Sequence, residues 1–495
     1  MSCRYITALL SVLFLLHTNA VWAVSYEVWL SDQVNSQGIS ADADTGTHGG
    51  IITIYDSVDL EKQPPEHAPV NLEVTEIWLD ALQNTGAELA RIHGILPSPN
   101  HNYLTANFVA SGHLGIIDGR TKEAVALFRT TGTDTGQQNH MSLWSADGAY
   151  ILVANQGGKL LERINITWDE TGQDIIAAEF DADATLDLVG GTGRILAQPV
   201  ADASLPIGSI QGTVMDGQST LTPNNILKQD PKLRPNNTVI CPIPSSNGQH
   251  VYVTLGGGGM FVVDYRATPM AIVAEYSQDR VHAAGCGGAE GGGFMYMNTG
   301  TSAPDVSEFT VYRFPLDYRK APRFHRPNHP RPFIVFADPD NGQIIHGDNR
   351  DAHGVVFTLS RRYLHVFDRV RNVTEVFDVG TLKRFTYDLT TKNGQIDGEL
   401  ASVCGTTSGA TTSNDPTPDL TDISPNGDRI YVALRGPFPL SVAHAAEGSC
   451  PGLGIIELHD GGRHGILRHV LPTEKLNHSE DKNLSDPHAV IVRIK

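Results

Sequence analysis

Asp351-Ala-His-Gly-Val-Val-Phe-Thr-Leu-Ser-Arg-Arg-Tyr-Leu-His-Val-Phe-Asp368 reads as two short strands, Gly354–Leu359 and Tyr363–Phe367, joined by a turn at Ser360–Arg362. Its β-branched and aromatic residues suit a pleated, packed surface, and the gap between the runs is short enough for a hairpin. His353 stands seven residues before Ser360, at the mouth of the first strand. The same phrase recurs. Arg91-Ile-His-Gly-Ile-Leu-Pro-Ser-Pro-Asn100 runs into Tyr103–Asn107 with His93 in the matching place, and Asn139-His-Met-Ser-Leu-Trp-Ser-Ala-Asp-Gly148 runs into Tyr150–Asn155 with His140 there. Self-similarity at such spacing is the signature of a repeat architecture.

Further copies place Ile240, His282 and Asp419 at the equivalent position. Each of these six positions opens a unit of roughly four strands. The final run, Asp486-Pro-His-Ala-Val-Ile-Val-Arg-Ile494, is a lone strand led by His488. A lone strand needs partners, and the segments Tyr26–Ser31, Gly50–Tyr55 and Asn71–Leu79 near the other terminus supply them. Pairing the last strand with these closes a ring and removes the open edge. The expected fold is therefore all-β: a seven-bladed β-propeller over residues 24–495, with an inserted loop at 181–235.

Composition agrees. The chain has 495 residues, 40% hydrophobic and 18% charged, which excludes both a disordered chain and a membrane-embedded one. Forty-nine glycines and 28 prolines supply many turns. A formal charge of −19 argues against nucleic acid, which wants clustered Lys and Arg. Residues 1–23 have the form of a signal peptide: Arg4, an apolar run Ile6–Leu16, and Ala20-Val-Trp-Ala23 for cleavage. The apolar run is too short to span a bilayer, so a periplasmic or secreted protein with no membrane insertion is expected. Cleavage removes Cys3 and leaves Cys241, Cys286, Cys404 and Cys450, which allow three pairings in an oxidising compartment. Cys241–Cys286 and Cys404–Cys450 are the favoured pairs.

Inner strands of a propeller line its channel, so the anchors His93, His140, His282, His353, His488 and Asp419 are expected to face one another, with Ile240 a gap. A single histidine before glycine is an ordinary feature of such turns. Five in register with an aspartate point to metal, because neutral imidazoles present lone pairs to a transition metal and copper heads the divalent affinity order. Asp348, Arg350 and Asp351, just before His353, and Arg91, beside His93, are candidates to orient an imidazole or an anionic substrate.

Two kinds of resemblance add to this. Ser424-Pro-Asn-Gly427 leading into Arg429-Ile-Tyr-Val-Ala-Leu434, and Asp147-Gly148 leading into Tyr150-Ile-Leu-Val-Ala-Asn155, resemble YVTN-type propeller repeats. The histidine ring is similar to that of the copper propellers nitrous-oxide reductase and thiocyanate dehydrogenase. Carried over, this resemblance makes His93, His140, His282, His353 and His488 ligands of one to three copper ions and Asp419 a ligand or proton acceptor. It implies oxidation of a small inorganic sulfur or nitrogen compound, with electrons passing to an external acceptor. The sequence carries no cupredoxin domain, which sets it apart from the reductase. A non-enzymatic propeller that binds a partner through its loop face, and a lactonase-like hydrolase, are the alternatives.

Overall fold

The computed structural model describes residues 24–34, 49–189, 196–211, 230–282, 285–300, 309–318, 327–338, 350–440, 447–473 and 481–495. These form a seven-bladed β-propeller. Blade 1 is closed by the last strand: Pro487–Ile494 is innermost and pairs antiparallel with Tyr26–Asp32, followed by Ile51–Asp56 and Val70–Glu73. The inner strands of blades 2 to 7 are Ile92–Pro97, Asn139–Trp144, Thr238–Pro244, Gly288–Gly291, Ala352–Phe357 and Pro418–Ile423. The proposed signal segment 1–23 lies outside the described residues.

Period-two alternation builds the core. In blade 3, Ile151 and Val153 pack toward blade 2, whereas Leu152 and Ala154 pack toward blade 4. Both faces of each sheet are therefore buried, which is why the strands read as nearly continuous apolar runs. One hydrophobic cluster fills each of the seven gaps between neighbouring blades. Fully burying one such large apolar side chain stabilises the fold by about 1.5–3 kcal/mol.

Two segments depart from expectation. The run Asn71–Leu79 is not all strand: pairing stops at Glu73, and short helices follow at Val74–Ile77 and Ala81–Thr85. Val74, Trp78, Ala81 and Thr85 are buried at helical spacing, so the apolar period there is nearer 3.6 than 2. The insertion is structured where it is described. Gly208–Gln211 adds a parallel strand to blade 3, and Val200–Ala201 pairs with the outer strand of blade 2, so the insertion ties two blade edges together.

Both favoured disulfides, Cys241–Cys286 and Cys404–Cys450, are formed. They are compatible with an extracellular or periplasmic protein. No helix among the described residues is long and apolar enough to cross a membrane.

Two histidines outside the channel are locked into the sheets. His113 bonds Thr85 Oγ1 at 2.6 Å and Ser111 Oγ at 2.9 Å, and His365 bonds Tyr387 Oη at 3.1 Å and the Gly462 carbonyl at 2.8 Å. Burial pushes His113 down to about 3 and His365 down to about 4 from the ordinary 6.5. Below pH 6.5 the unfolded chain binds protons that the folded chain refuses, so stability falls as pH drops through that window. Each group contributes a slope of about 1.4 kcal/mol per pH unit. In denaturant titrations, His365→Gln is expected to be less stable than wild type at neutral pH. Its stability should decline by about 1.4 kcal/mol less per pH unit between roughly 6 and 4.

Candidate metal centre

The anchors do not simply begin strands; they sit in bulges. In blade 6, Ala352 pairs with Asp368 and Val355 with Val366, so His353 and Gly354 oppose Phe367 alone. The same one-residue slip occurs at His140 in blade 3, Ile240 in blade 4 and Asp419 in blade 7, and again at His93 and His488, where the histidine alone is left unpaired. A bulge re-aims a side chain that the pleat would otherwise direct into a blade interface. Glycine after the histidine has a packing reason. A Cβ on Gly354 would collide with the Asp419 carbonyl, and one on Gly94 with Met141 Sδ.

The rings converge. His93 stacks on His488 with centroids 3.7 Å apart, His140 meets His93 edge-on at 4.4 Å, and His353 meets His488 at 5.7 Å. His488 Nδ1 lies 2.7 Å from the His93 carbonyl, which can only accept, so Nδ1 holds the proton and Nε2 presents its lone pair. Nε2 is 4.0 Å from Asp419 Oδ2. His353 Nδ1 is 2.6 Å from Asp419 Oδ1, although neither atom has a well-directed hydrogen bond. His353, Asp419 and His488 each offer a donor atom within 4.8 Å of the others. Both ring nitrogens of His93 are buried without a partner, as is His140 Nδ1.

A buried ion chain underlies this cluster. Arg435 donates to Asp419 Oδ2 at 2.5 Å and to Asp486 Oδ1 at 2.6 Å. Arg369 donates to Asp351 Oδ2 at 2.6 Å and reaches Asp419 Oδ2 at 3.5 Å. Burial alone would raise the Asp419 carboxyl. His353, His488, Arg369 and Arg435 outweigh it and hold Asp419 well below the usual carboxylate range. Burial together with the neighbouring imidazoles and cations pushes His93 well below 6.5. Burial also outweighs the pull of Asp419 and keeps His488 well below it. His140 is pushed down to about 4 by burial, against a bond to the Ile240 backbone. His93, His140 and His488 are therefore held as neutral imidazoles beside one fixed negative charge, a donor set that fits a nitrogen-seeking transition metal.

The other expected residues fall in different places. His282 is not brought to the ring. It lies edge-on to Tyr312 at 6.4 Å, and the pairing of Gly288 with Met297 puts Cys286, two residues earlier, where blade 6 has His353. The loose match around Val281–Gly291 had slipped by four residues, which glycine-rich sequence permits. Arg350 is turned away from the channel. Its buried guanidinium bonds Asp368 and Glu375, both at 2.7 Å, and pairs with Asp338 across to blade 5, so it braces two blades. Asp351 stands one layer behind Asp419 and is linked to it through Arg369. Asp348 lies outside the described residues.

Arg91 is at the ring, raising the cost of protonating His93 and His140. Its Nη1 donates to the Leu440 carbonyl at 2.9 Å, and its Nε is buried without a partner. Sequence reasoning missed Arg369, Arg435 and Asp486. A signal existed: Asp351-Ala-His353 and Asp486-Pro-His488 share one spacing, and both arginines directly follow the second strand of their blade.

No protein-family model matches the sequence, and no curated protein matches it. Solved structures share the propeller fold at low identity. A putative 6-phosphogluconolactonase from Bacteroides fragilis aligns at 11% identity and TM-score 0.48, covering 95% of this chain and 98% of its own. The periplasmic gluconolactonase PpgL of Pseudomonas aeruginosa aligns at 12% and 0.45, over 95% and 100%. Hydrazine synthase of Kuenenia stuttgartiensis aligns at 12% and 0.40, over 74% and 76%. These likenesses are of fold alone.

Proposed function

We propose that this is an exported copper-binding propeller, an oxidoreductase acting on a small inorganic sulfur- or nitrogen-containing anion such as thiocyanate. The observation that carries the reading is the convergence of His93, His140, His353, His488 and Asp419 at one channel mouth, with the nitrogens of His93 buried and unpaired. An unsatisfied buried nitrogen is costly unless something fills its lone pair. His93, His140, His353 and His488 would hold the metal. Asp419 would serve as a further ligand or as the charge that fixes His353. Copper would supply the oxidising equivalents, and an external acceptor would remove the electrons.

The chain's own residues do the rest. Arg91 is near enough to His93 and His140 to raise the cost of protonating them, and its buried, unused Nε–H suits a bound anion. Asp419, held ionised in its buried setting with the Arg435 and Arg369 guanidiniums against it, supports a role as charge partner better than one as proton acceptor. A lactonase-type hydrolase would want an oxygen-rich calcium site, whereas four imidazoles and one carboxylate favour a softer ion.

Purified protein loaded with copper and dialysed is expected to retain one to three ions per chain and to reduce an external dye when supplied with the anion. Protein that retains no copper would end this reading. In the active protein, Arg91→Ala is expected to raise KM for the anion about 10-fold or more while kcat changes less, as loss of one charged hydrogen bond implies. Equal effects on both constants would instead place Arg91 in the chemical step.

A further inference from the structure

The imidazole cluster leaves the side of the channel at blades 4 and 5 uncovered, and a cysteine pair stands there. Cys241 follows Ile240 in the bulge of blade 4, and Cys286 holds the anchor register of blade 5. Their disulfide thus crosses between two blades at the level of the ring. His140 of blade 3 is beside it: a ring nitrogen of His140 and the two sulfurs lie within 4.8 Å of one another. Cys241 is fully buried, Cys286 is half-buried, and His140 Nδ1 is buried with no hydrogen-bond partner. The second disulfide differs. Cys404 and Cys450 neighbour Ser449 and the carbonyls of Gly405 and Asp415, and no imidazole groups with them among the described residues.

We propose that Cys241 and Cys286 form, with His140, a redox-controlled site for one Cu(I) ion, empty as the disulfide and filled as the dithiolate. A dithiol is the reductant. One of its thiolates attacks the more accessible Cys286 sulfur, breaking the S–S bond and forming a mixed disulfide. Its second thiol then displaces Cys286, so the reductant leaves as a cyclic disulfide. Two electrons and two protons have passed to the cysteine pair. Binding Cu(I) expels those two protons, and copper does not change oxidation state. Two thiolates and one imidazole form a soft donor set that selects Cu(I), in contrast to the nitrogen- and oxygen-only set of His93, His353, His488 and Asp419. The site shares His140 with the ring proposed above, but its two thiolates belong to the Cys241–Cys286 pair alone, so the reduction-dependent ion is counted separately from the ring's copper.

The test is metal counting on the full folded chain under anaerobic conditions. Protein is reduced with dithiothreitol, freed of it by gel filtration, loaded with Cu(I) in acetonitrile-containing buffer, and compared with oxidised protein in the same buffer. Alkylation and peptide mass spectrometry show which cysteines were opened. The reduced form is expected to bind one more Cu(I) per chain than the oxidised form, and the doubly substituted Cys241→Ser, Cys286→Ser chain is expected to lose that extra ion alone. His353→Ala should lower the ring's copper and leave the reduction-dependent ion in place, so failure of one reading is distinguishable from failure of the other. Equal copper in the two forms overturns the proposal. So does a Cys241–Cys286 bond that stays closed in folded protein under dithiothreitol, which would make it a purely structural link.

Discussion

Replacing His93 and His488 together by alanine is expected to strip copper from the protein while the propeller survives. The two rings stack at 3.7 Å, and the backbone of His93 fixes the tautomer of His488, so they act as one unit. Loss of an outer partner alone costs metal sites 10–100-fold in affinity, and removing two donors should exceed about 100-fold. The inner strands carrying them remain paired through Ile92–Pro97 and Pro487–Ile494, so far-ultraviolet circular dichroism should keep its β signature. The measurement is copper per chain after dialysis. Undiminished copper in this variant would show that the ring is packing and not a site. His113→Asn is the control. It should keep copper, and it should lose about 1–3 kcal/mol because a buried histidine bonded at both nitrogens is removed.

The second large effect concerns Asp419. Its carboxylate lies at 0% exposure between Arg435 and Arg369, with Asp486 and Asp351 beyond them, also buried. Asp419→Ala leaves two buried guanidiniums short of an anion, which is expected to cost about 3–5 kcal/mol. Asp419→Asn keeps shape and acceptor but not charge, and should recover only part of that loss. Denaturation midpoints of the three proteins measure it. If Asp419→Ala is as stable as wild type, the ion chain is not holding the channel mouth together. Because Asp419 also faces His353 at 2.6 Å, both variants are expected to weaken copper binding. Arg350→Met separates the roles: it should destabilise the junction of blades 5 and 6, where Arg350 meets Asp338, Asp368 and Glu375, and leave copper untouched.

Much of the site was legible because repeats carry register. His93, His140, His353 and Asp419 were found by counting back from turns and His488 as the head of the last strand, and the bulges then aim all five at the axis. His282 failed where glycine removed the pattern that fixes register, and Cys286 took its place. Arg350 failed for another reason. Nearness in sequence to His353 says nothing about direction once the chain enters a strand, and here the guanidinium is drawn to Asp368 and Glu375 in the sheet interior.

By itself the sequence determined the all-β class, the number of blades and the closure by the last strand, because each follows from local period or spacing, and it reduced the disulfides to three pairings, of which the favoured one is formed. Only the tertiary structure decided which polar groups meet. The ion chain through Arg369 and Arg435 joins residues from three blades, and the facing of imidazoles depends on one-residue bulges that carry no periodic signal. Side-chain convergence at an axis is a property of how blades stack, and stacking is set by buried surface summed over the whole ring.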